Sequence, residues 1–276
     1  MRESFADLHI HTNYSDGNLD PSEIVDKAVE ANLQALSITD HDCVDGLQEA
    51  SEHAKKKDIE LIPGIEFSCR YRMREVHVLG YFIDTKNKIL LKTLEKIRSV
   101  RAERIIKMVE LLNKKNIPIK SENVFSLSSR GSIGRPHVAR ALVDNGFVKS
   151  HYSAFSDYIG NGKPCYVDHY RLQIEEAVDL IEMASGVAVI AHPKTLGDDM
   201  LIPIIKGLGV KGLEVYHPDH RKSDTKKYLK IAKETDLCVT GGTDFHGFSG
   251  RSIAIGAIKI DYALVDILKE RKRNQK

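Results

Sequence analysis

Phe5-Ala6-Asp7-Leu8-His9-Ile10-His11-Thr12-Asn13-Tyr14-Ser15-Asp16-Gly17 is the stretch on which the reading of this chain turns. Asp7, His9 and His11 alternate with Leu8 and Ile10. Successive side chains of a strand point to opposite faces, so the alternation predicts a strand with one apolar face. The other face carries a carboxylate and two imidazoles, neighbouring groups standing about 7 Å apart. Imidazoles that close, pointing the same way, can share one metal ion. Asn13, Ser15 and Gly17 are turn formers, and a turn there would bring Asp16 back as a further oxygen ligand. Taken alone, the pattern also fits a surface strand that happens to hold two histidines. The rest of the chain decides between these readings.

The 276 residues are 42% hydrophobic and 29% charged, which suits one large globular domain, or one domain with an insertion, around a substantial core. A net charge of +2 shows no global pull toward nucleic acid or membrane. The basic end, Lys269 to Lys276, reads as a solvated helix terminus. No apolar run is long enough to span a bilayer, and Met1-Arg2-Glu3-Ser4 leads into the first strand with no room for a signal peptide. Cys43, Cys69, Cys165 and Cys238 are scattered, without a C-x-x-C pair. They are expected to be reduced and buried in a cytoplasmic protein.

After the opening strand, Asp20-Pro21-Ser22-Glu23 is a helix start, with Asp as cap, Pro at the first helical position and Glu at the third. A strand over residues 35–39 delivers Asp40-His41-Asp42, and a helix follows over 47–57. A third strand, residues 59–66, ends on Glu66, and a fourth, 77–83, starts on His77. Strands alternating with helices predict a parallel sheet or barrel, in which functional groups gather at the C-terminal ends of strands. The pattern then breaks. Residues 89–113 read as one long helix with no strand after it, Gly134-Arg135-Pro136-His137 opens another, and 153–159 reads as a short third. Residues 86–168 are therefore predicted to be a helical insertion over one end of a barrel made from 1–85 and 169–276. Alternation resumes with a helix over 174–184 and strands ending at His192, at His217 and at Thr243-Asp244-Phe245-His246. A last strand is expected at 253–258 and a closing helix from Asp261. There is no internal repeat and no low-complexity segment.

His9, His11, Asp16, His41, Glu66, His77, His192, Asp244 and His246 thus all fall at or beside strand ends. Any one of them could be a separately satisfied polar residue. So many imidazoles and carboxylates gathered together, with no thiolate, point to Mn, Fe or Zn. Nine groups exceed what one ion needs, and two or three ions fit better.

The strings D-L-H-I-H-T…S-D-G, T-D-H-D, P-G-I-E-F, H-V-L-G-Y, A-H-P and G-T-D-F-H resemble the polymerase and histidinol phosphatase (PHP) superfamily over essentially the whole chain. The resemblance implies an α/β fold, a distorted TIM-like (β/α)7 barrel, with a trinuclear metal site that hydrolyses phosphate esters. Motif by motif it implies that His9, His11, Glu66 and Asp244 hold one ion. Asp16, His41 and His246 would hold a second, and Glu66, bridging, with His77 and His192 a third. Every ligand position is filled. Asp16, His41, Glu66, His192, Asp244 and His246 are the implied catalytic set, and Mn2+ is the expected metal, with Zn2+ or Fe2+ as alternatives. Asp7, on the face of His9, is expected to orient a ligand.

Within the insertion, Leu90, Leu94, Ile97, Arg101, Arg104, Met108 and Leu111 follow the 4-3 spacing of one helix face. The two arginines either snorkel to water at the edge of that stripe or reach over the barrel mouth to a phosphate, which a guanidinium fork matches. Arg135, with His137 nearby, sits at a helix start, itself a place for anions. R-x-x-R-x-x-K-M followed by G-R-P-H resembles the PHP subfamily that dephosphorylates 3',5'-bisphosphonucleotides, some relatives of which trim short RNA from the 5' end. That resemblance implies a metal-dependent phosphomonoesterase acting by metal-activated hydroxide, with pAp converted to AMP and phosphate. Arg101, Arg104, Arg135, His137 and His217 are the expected substrate-binding residues. His192, His217 and His246 all remain open as proton donor to the leaving group, and Tyr216 with His217 could line the nucleotide pocket or be structural. The alternatives are a 5'-3' exonuclease on short RNA, a histidinol-phosphate phosphatase and, in a different class, a non-catalytic metal-stabilised partner module. The expected partner is a small-molecule nucleotide or a short RNA oligonucleotide, with no membrane and no obligate protein partner.

Overall fold

The structure is a computed structural model and describes residues 4–128, 131–247 and 253–274. Its strands are β1 (Phe5–Ile10), β2 (Ala35–Ile38), β3 (Glu60–Tyr71), β4 (Arg74–Tyr81), β5 (Leu172–Gln173), β6 (Val187–Ile190), β7 (Gly212–Tyr216), β8 (Cys238–Gly241) and β9 (Ile260–Asp261). They join in the order β8-β7-β6-β4-β3-β2-β1-β9, with the two-residue β5 on β3. A bridge between Ile10 and Phe245, with the His11 N–H donating to the Phe245 carbonyl at 2.9 Å, carries the sheet round from the end of β8 to β1. Apart from the short β5 and β9, seven strands make this distorted barrel.

The barrel is not all parallel as the alternation predicted. β4 runs antiparallel to both β3 and β6. No helix separates β3 from β4, and the chain reverses at Arg72, whose φ of +55° supplies the left-handed residue of a tight turn. β3 also continues past Glu66 to Tyr71, and His77 lies inside β4 rather than at its start. Because β4 is reversed, its first half reaches the same mouth as the C-terminal ends of the parallel strands. The strand expected at 253–258 is irregular. Pairing is made instead by β9, antiparallel to β1, because Ile260 opposes Ala6 and buries its side chain there.

The helices are α1 (Pro21–Glu30), α2 (Leu47–Lys56), α3 (Lys88–Lys114), α4 (Ser121–Phe125), α5 (Arg135–Asp144), α6 (His151–Ala154), α7 (Ile174–Met183), α8 (Leu201–Gly207), α9 (Lys222–Glu234) and α10 (Tyr262–Arg273). α1 starts where expected: the Glu23 carboxylate reaches back to the Asp20 N–H at 2.9 Å. The long α3 is opened by Asn87, whose side chain accepts from the N–H groups of Ile89 and Leu90. Leu90, Leu94 and Ile97 of α3 join the main core with Ile65, Phe67 and Ile181. Ile105, Met108, Val109 and Leu112 of the same helix join a separate core with Val138, Leu142, Ile159 and Cys165. One helix therefore serves two cores, and Arg101 and Arg104 stand where it passes from one to the other. Both are buried, so neither snorkels to water. Leu112 replaces Leu111 as the buried residue because a strict seven-residue repeat drifts about 20° around a straight helix per heptad.

Candidate metal and substrate site

Glu66 is the centre of the barrel mouth. Its Oε2 lies 3.3 Å from His9 Nε2, 3.2 Å from His11 Nε2 and 3.2 Å from His41 Nδ1. Its Oε1 lies 2.8 Å from His77 Nδ1 and 3.0 Å from His192 Nε2. Asp244 Oδ1 is 3.1 Å from His11 Nε2, and Asp16 Oδ1 is 3.2 Å from His246 Nε2. All nine residues singled out in the sequence are thus brought together. The donor atoms of eight of them fall into three overlapping sets, each within 4.8 Å: His9, His11, Glu66, Asp244; His11, Asp16, His41, His246; and His41, Glu66, His77. His192, expected beside His77, joins none of these sets and meets the cluster through Glu66 Oε1.

These residues fit divalent ions. Asp16 Oδ1 and His41 Nδ1 are buried and make no hydrogen bond, although each has a polar atom 3.2 Å away. Asp16 and His41 belong to one set of donor atoms within 4.8 Å of one another, and a cation would satisfy buried acceptors that no hydrogen bond does. A set of imidazoles and carboxylates suits Mn, Fe or Zn alike.

The rings are held from behind. Glu214, in the middle of β7, accepts from His9 Nδ1 at 2.9 Å and from the His192 backbone N–H at 2.7 Å. The proton on His9 is thereby placed on Nδ1 and the Nε2 lone pair is turned to the cluster. Sequence reasoning missed Glu214, and the available signal was a carboxylate inside the apolar strand Leu213-Glu214-Val215. Asp7, expected to orient a ligand, acts on the backbone beside Asp244 rather than on the ring of His9. It accepts from Thr243 N at 3.0 Å, Thr243 Oγ1 at 2.7 Å and Gly256 N at 3.0 Å, which ties the backbone beside Asp244 to β1. Asp40 accepts from Thr12 N, Thr12 Oγ1 and Ser15 Oγ and so fixes the loop that carries His11 and Asp16. Gly242 permits the close approach of β8 to β1, for a Cβ there would lie 2.6 Å from His9 Cβ. His192 and Asp244 have φ of +23° and +48°, and such backbones cost roughly 1–3 kcal/mol each in non-glycine residues. Strain of that size at two positions of the cluster is held in place by the sheet around them.

Beside the cluster lies a cavity of about 140 Å3, lined by Asp16, His41 and His77 on one side and by Arg101, Arg104, Arg135, His137 and His169 on the other. Arg101 is already paired: its Nε and Nη2 both donate to Asp42 Oδ2, and Nη2 also reaches Ser68 Oγ at 3.0 Å. Arg104 donates Nε to the Val167 carbonyl at 2.7 Å and lies over the Tyr166 ring, while its Nη2 is buried without a partner. Arg135 donates to Asn161 at 2.9 Å and Glu75 at 3.4 Å, near the rings of Phe155 and Tyr166. His137 accepts the Gly134 N–H at 3.1 Å and caps its own helix. His217 is not in this wall. It lines a second cavity, about 280 Å3, with Asp244, Phe245 and His246, and its Nε2 is 3.4 Å from Asp244 Oδ2. Glu75 and His169, which line this wall, and Asp42 and Arg171, which pair with charged groups of it, were also missed. Asp42 lies in the T-D-H-D string, whereas Glu75, His169 and Arg171 sit on a hairpin and a connector where spacing carries no cue.

The PHP domain, as a family, matches residues 7–191. The chain belongs to the PHP family. It is similar to a 3',5'-nucleoside bisphosphate phosphatase of Chromobacterium violaceum, 36% identical over 90% of each chain. It is also similar to a 5'-3' exoribonuclease of Haemophilus influenzae, 34% identical over 87% of this chain and 89% of that one. Among solved structures, one from Bifidobacterium adolescentis described as a metal-dependent phosphoesterase superposes with a TM-score of 0.89 at 30% identity, covering 98% of this chain and 97% of that one. An amidohydrolase from Chromobacterium violaceum, with bound sulfate and no metal, gives 0.84 at 35% identity over 93% and 91%. The PHP barrel described above is therefore that of a phosphoester hydrolase, with a His, Asp and Glu cluster able to bind metal ions.

In this PHP cluster the protein's own charges are strongly coupled. Burial works against charge on His11, but Asp244 and Glu66 lift it to about 10. Burial likewise opposes His77, which Glu66 and Glu75 lift to about 10. Burial disfavours the Glu66 carboxylate, yet His41, His77 and His9 hold it well below the usual range. His41 goes the other way: burial, opposed by Glu66 and Asp16, pushes it down to about 3. Metal binding at such a site must displace protons from imidazoles.

Proposed function

We propose that this protein removes the 3'-phosphate of 3',5'-bisphosphonucleotides, such as pAp to AMP and phosphate, with two or three divalent ions, Mn2+ foremost. His9, His11, Glu66 and Asp244 hold one ion; Asp16, His41 and His246 a second; Glu66, His77 and His192 the third. The observation that carries the reading is the arginine-lined cavity that opens directly on the ligand cluster. A phosphate seated on the arginines leaves the scissile one at Glu66 and Asp16, and a monophosphate would use only half of the site.

When bound, the ions supply Lewis acidity, polarising a phosphoryl oxygen and acidifying water. The chain's own residues do the rest. Glu214 keeps His9 and the backbone of His192 in register. Residues 86–168, as an inserted subdomain, bring Arg101, Arg104, Arg135 and His137 over the barrel mouth. Of the histidines left open as proton donors, His192 and His246 have Nε2 beside Glu66 and Asp16. His217 differs: its Nδ1 accepts the Asp219 N–H at 3.1 Å, so its proton is on Nε2, facing Asp244 and the second cavity. His217 thus presents its N–H to Asp244 at the edge of the second cavity, away from the arginine wall. Four free, buried cysteines fit a cytoplasmic location.

A second reading, 5'-3' trimming of short RNA, is favoured by one observation. The ligand cluster is open to two cavities whose linings share no residue, so a chain continuing from the scissile phosphate has a way out. The test is phosphate release with added Mn2+ from a nucleoside 3',5'-bisphosphate, a 3'-monophosphate and histidinol phosphate, with nucleotide release from a 5'-phosphorylated RNA trimer alongside. The bisphosphate is expected to be fastest, with the 5'-nucleotide identified as product by phosphorus NMR. A faster trimer selects the second reading, and recovery of the 3'-nucleotide alone shows the substrate to be bound in reverse.

A further inference from the structure

Four guanidinium groups stand in or beside the cavity wall, and three have an acidic partner. Arg101 is held by Asp42, Arg135 by Glu75, and Arg171 by Asp168 at 2.8 Å and Glu75 at 3.5 Å. Arg104 has none among the described residues. Its Nε has a carbonyl and its plane a ring, but Nη2 is buried and unpaired in a residue only 5% exposed. An unpaired buried donor is costly, and on a cation more so. His169 lines the same cavity from the connector ahead of β5, and its Nδ1 is likewise buried with no partner. Two unpaired nitrogen groups from distant parts of the chain thus border one small cavity that opens on the ligand cluster.

We propose that Arg104 and His169 together seat the phosphate that is not cut, and that His169 takes up a proton from solvent as that phosphate enters. This rests on the bisphosphate reading above and names the residues that enforce it. The groups that bear on His169 are Arg104 and Arg101 from α3, Arg171 from its own connector, and Glu75 from β4. Burial and the three arginines outweigh Glu75 and push the imidazole down to about 2, so it is neutral in the wall. A dianion between Arg104 and His169 offsets the charge of the arginines around the ring and so favours its protonated form. As imidazolium the ring gains a second N–H donor, so both of its nitrogens can serve phosphate oxygens or their neighbours. No other bond changes: one proton enters with the ligand and leaves with it.

Linkage then requires the affinity for the second phosphate to fall by up to about tenfold per pH unit wherever only the bound form holds the proton. A nucleotide phosphate has its second pKa near 6, so above pH 7 the ligand's own titration is nearly complete. The experiment compares kcat/KM for a nucleoside 3',5'-bisphosphate with that for the matching 3'-monophosphate, in the Mn2+-loaded enzyme between pH 7.0 and 8.5. The ratio cancels whatever pH does at the ligand cluster. It is expected to favour the bisphosphate at pH 7.0 and to fall steeply toward pH 8.5. In His169→Gln it should be lower at pH 7.0 by about tenfold or more and nearly flat, as expected when a charged hydrogen bond is lost. Arg104→Gln should collapse the ratio at every pH. As a readout independent of turnover, calorimetric titration with AMP in two buffers of different ionisation enthalpy should show proton uptake in the wild type and none in His169→Gln. His169→Asn provides a second variant if the first unfolds. A large ratio that ignores both pH and His169 would overturn this seat and leave the bisphosphate reading standing. A ratio near one at every pH in the wild type would remove both.

Discussion

On the barrel side of the cavity the charged groups arrive on several strands and strand ends; on the other side Arg101 and Arg104 arrive one turn apart on the single helix α3. Glu66 on the first side touches five imidazoles from β1, the loop after β2, β4 and the end of β6. Each contact is fixed by the sheet, so moving one ligand means moving a strand. On the second side each cation is settled by whatever lies nearest, Asp42 for Arg101 and a carbonyl for Arg104. The difference teaches that the metal chemistry is a property of the barrel, whereas substrate choice depends on which wall group is left unpaired.

The sharpest way to break this comparison is at its centre. Glu66→Gln should lower phosphate release by at least about 1,000-fold, since the metals' stabilisation of the transition state is worth several kcal/mol and about 1.4 kcal/mol is a factor of ten. Elemental analysis should show metal lost with it, and near wild-type rates would dismantle the bridging role. The next largest effect is on stability. Arg101→Ala leaves the Asp42 carboxylate buried without its partner, a change that typically costs about 3–5 kcal/mol. Urea unfolding measures it, and an unchanged midpoint would return Arg101 to the ligand-binding side of the comparison. Glu214→Gln should weaken metal affinity about 10- to 100-fold, by competition with a chelator, with much of the activity recovered at saturating metal. Failure to recover would mean that Glu214 shapes the fold more than the ring of His9.

The smallest effect is a dependence on pH. His11 and His77 are lifted to about 10 by their carboxylates, from an ordinary value near 6.5. Groups raised in this way stabilise the metal-free protein fully below about pH 6.5 and lose that contribution as pH rises toward 10. Metal ions need the same rings deprotonated, so their binding strengthens over the same window. The rise in melting temperature on adding Mn2+ should therefore be larger at pH 8 than at pH 6. An equal or smaller rise at pH 8 would place the ions elsewhere.

By itself the sequence determined what is local. The Asp7-to-His11 alternation, the helix start at Asp20 and Glu23, the strand-end strings around His41 and Asp244, and the α3 stripe all depend on residues within a turn or two of one another. Periodicity and turn chemistry act over that range, and so these elements were legible. Only the tertiary structure decided what depends on distant partners. The reversal of β4 follows from pairing with both β3 and β6, and no spacing within residues 74–81 announces it. Asp7 turned out to hold Thr243, 236 positions away, while the ring of His9 went to Glu214, 205 positions away. Arg101 and Arg104 look alike in the stripe, yet one met a carboxylate from the loop after β2 and the other met none. A pattern can say that a side chain will be buried, but its partner there is set by which strands and loops the closed barrel brings to the same mouth.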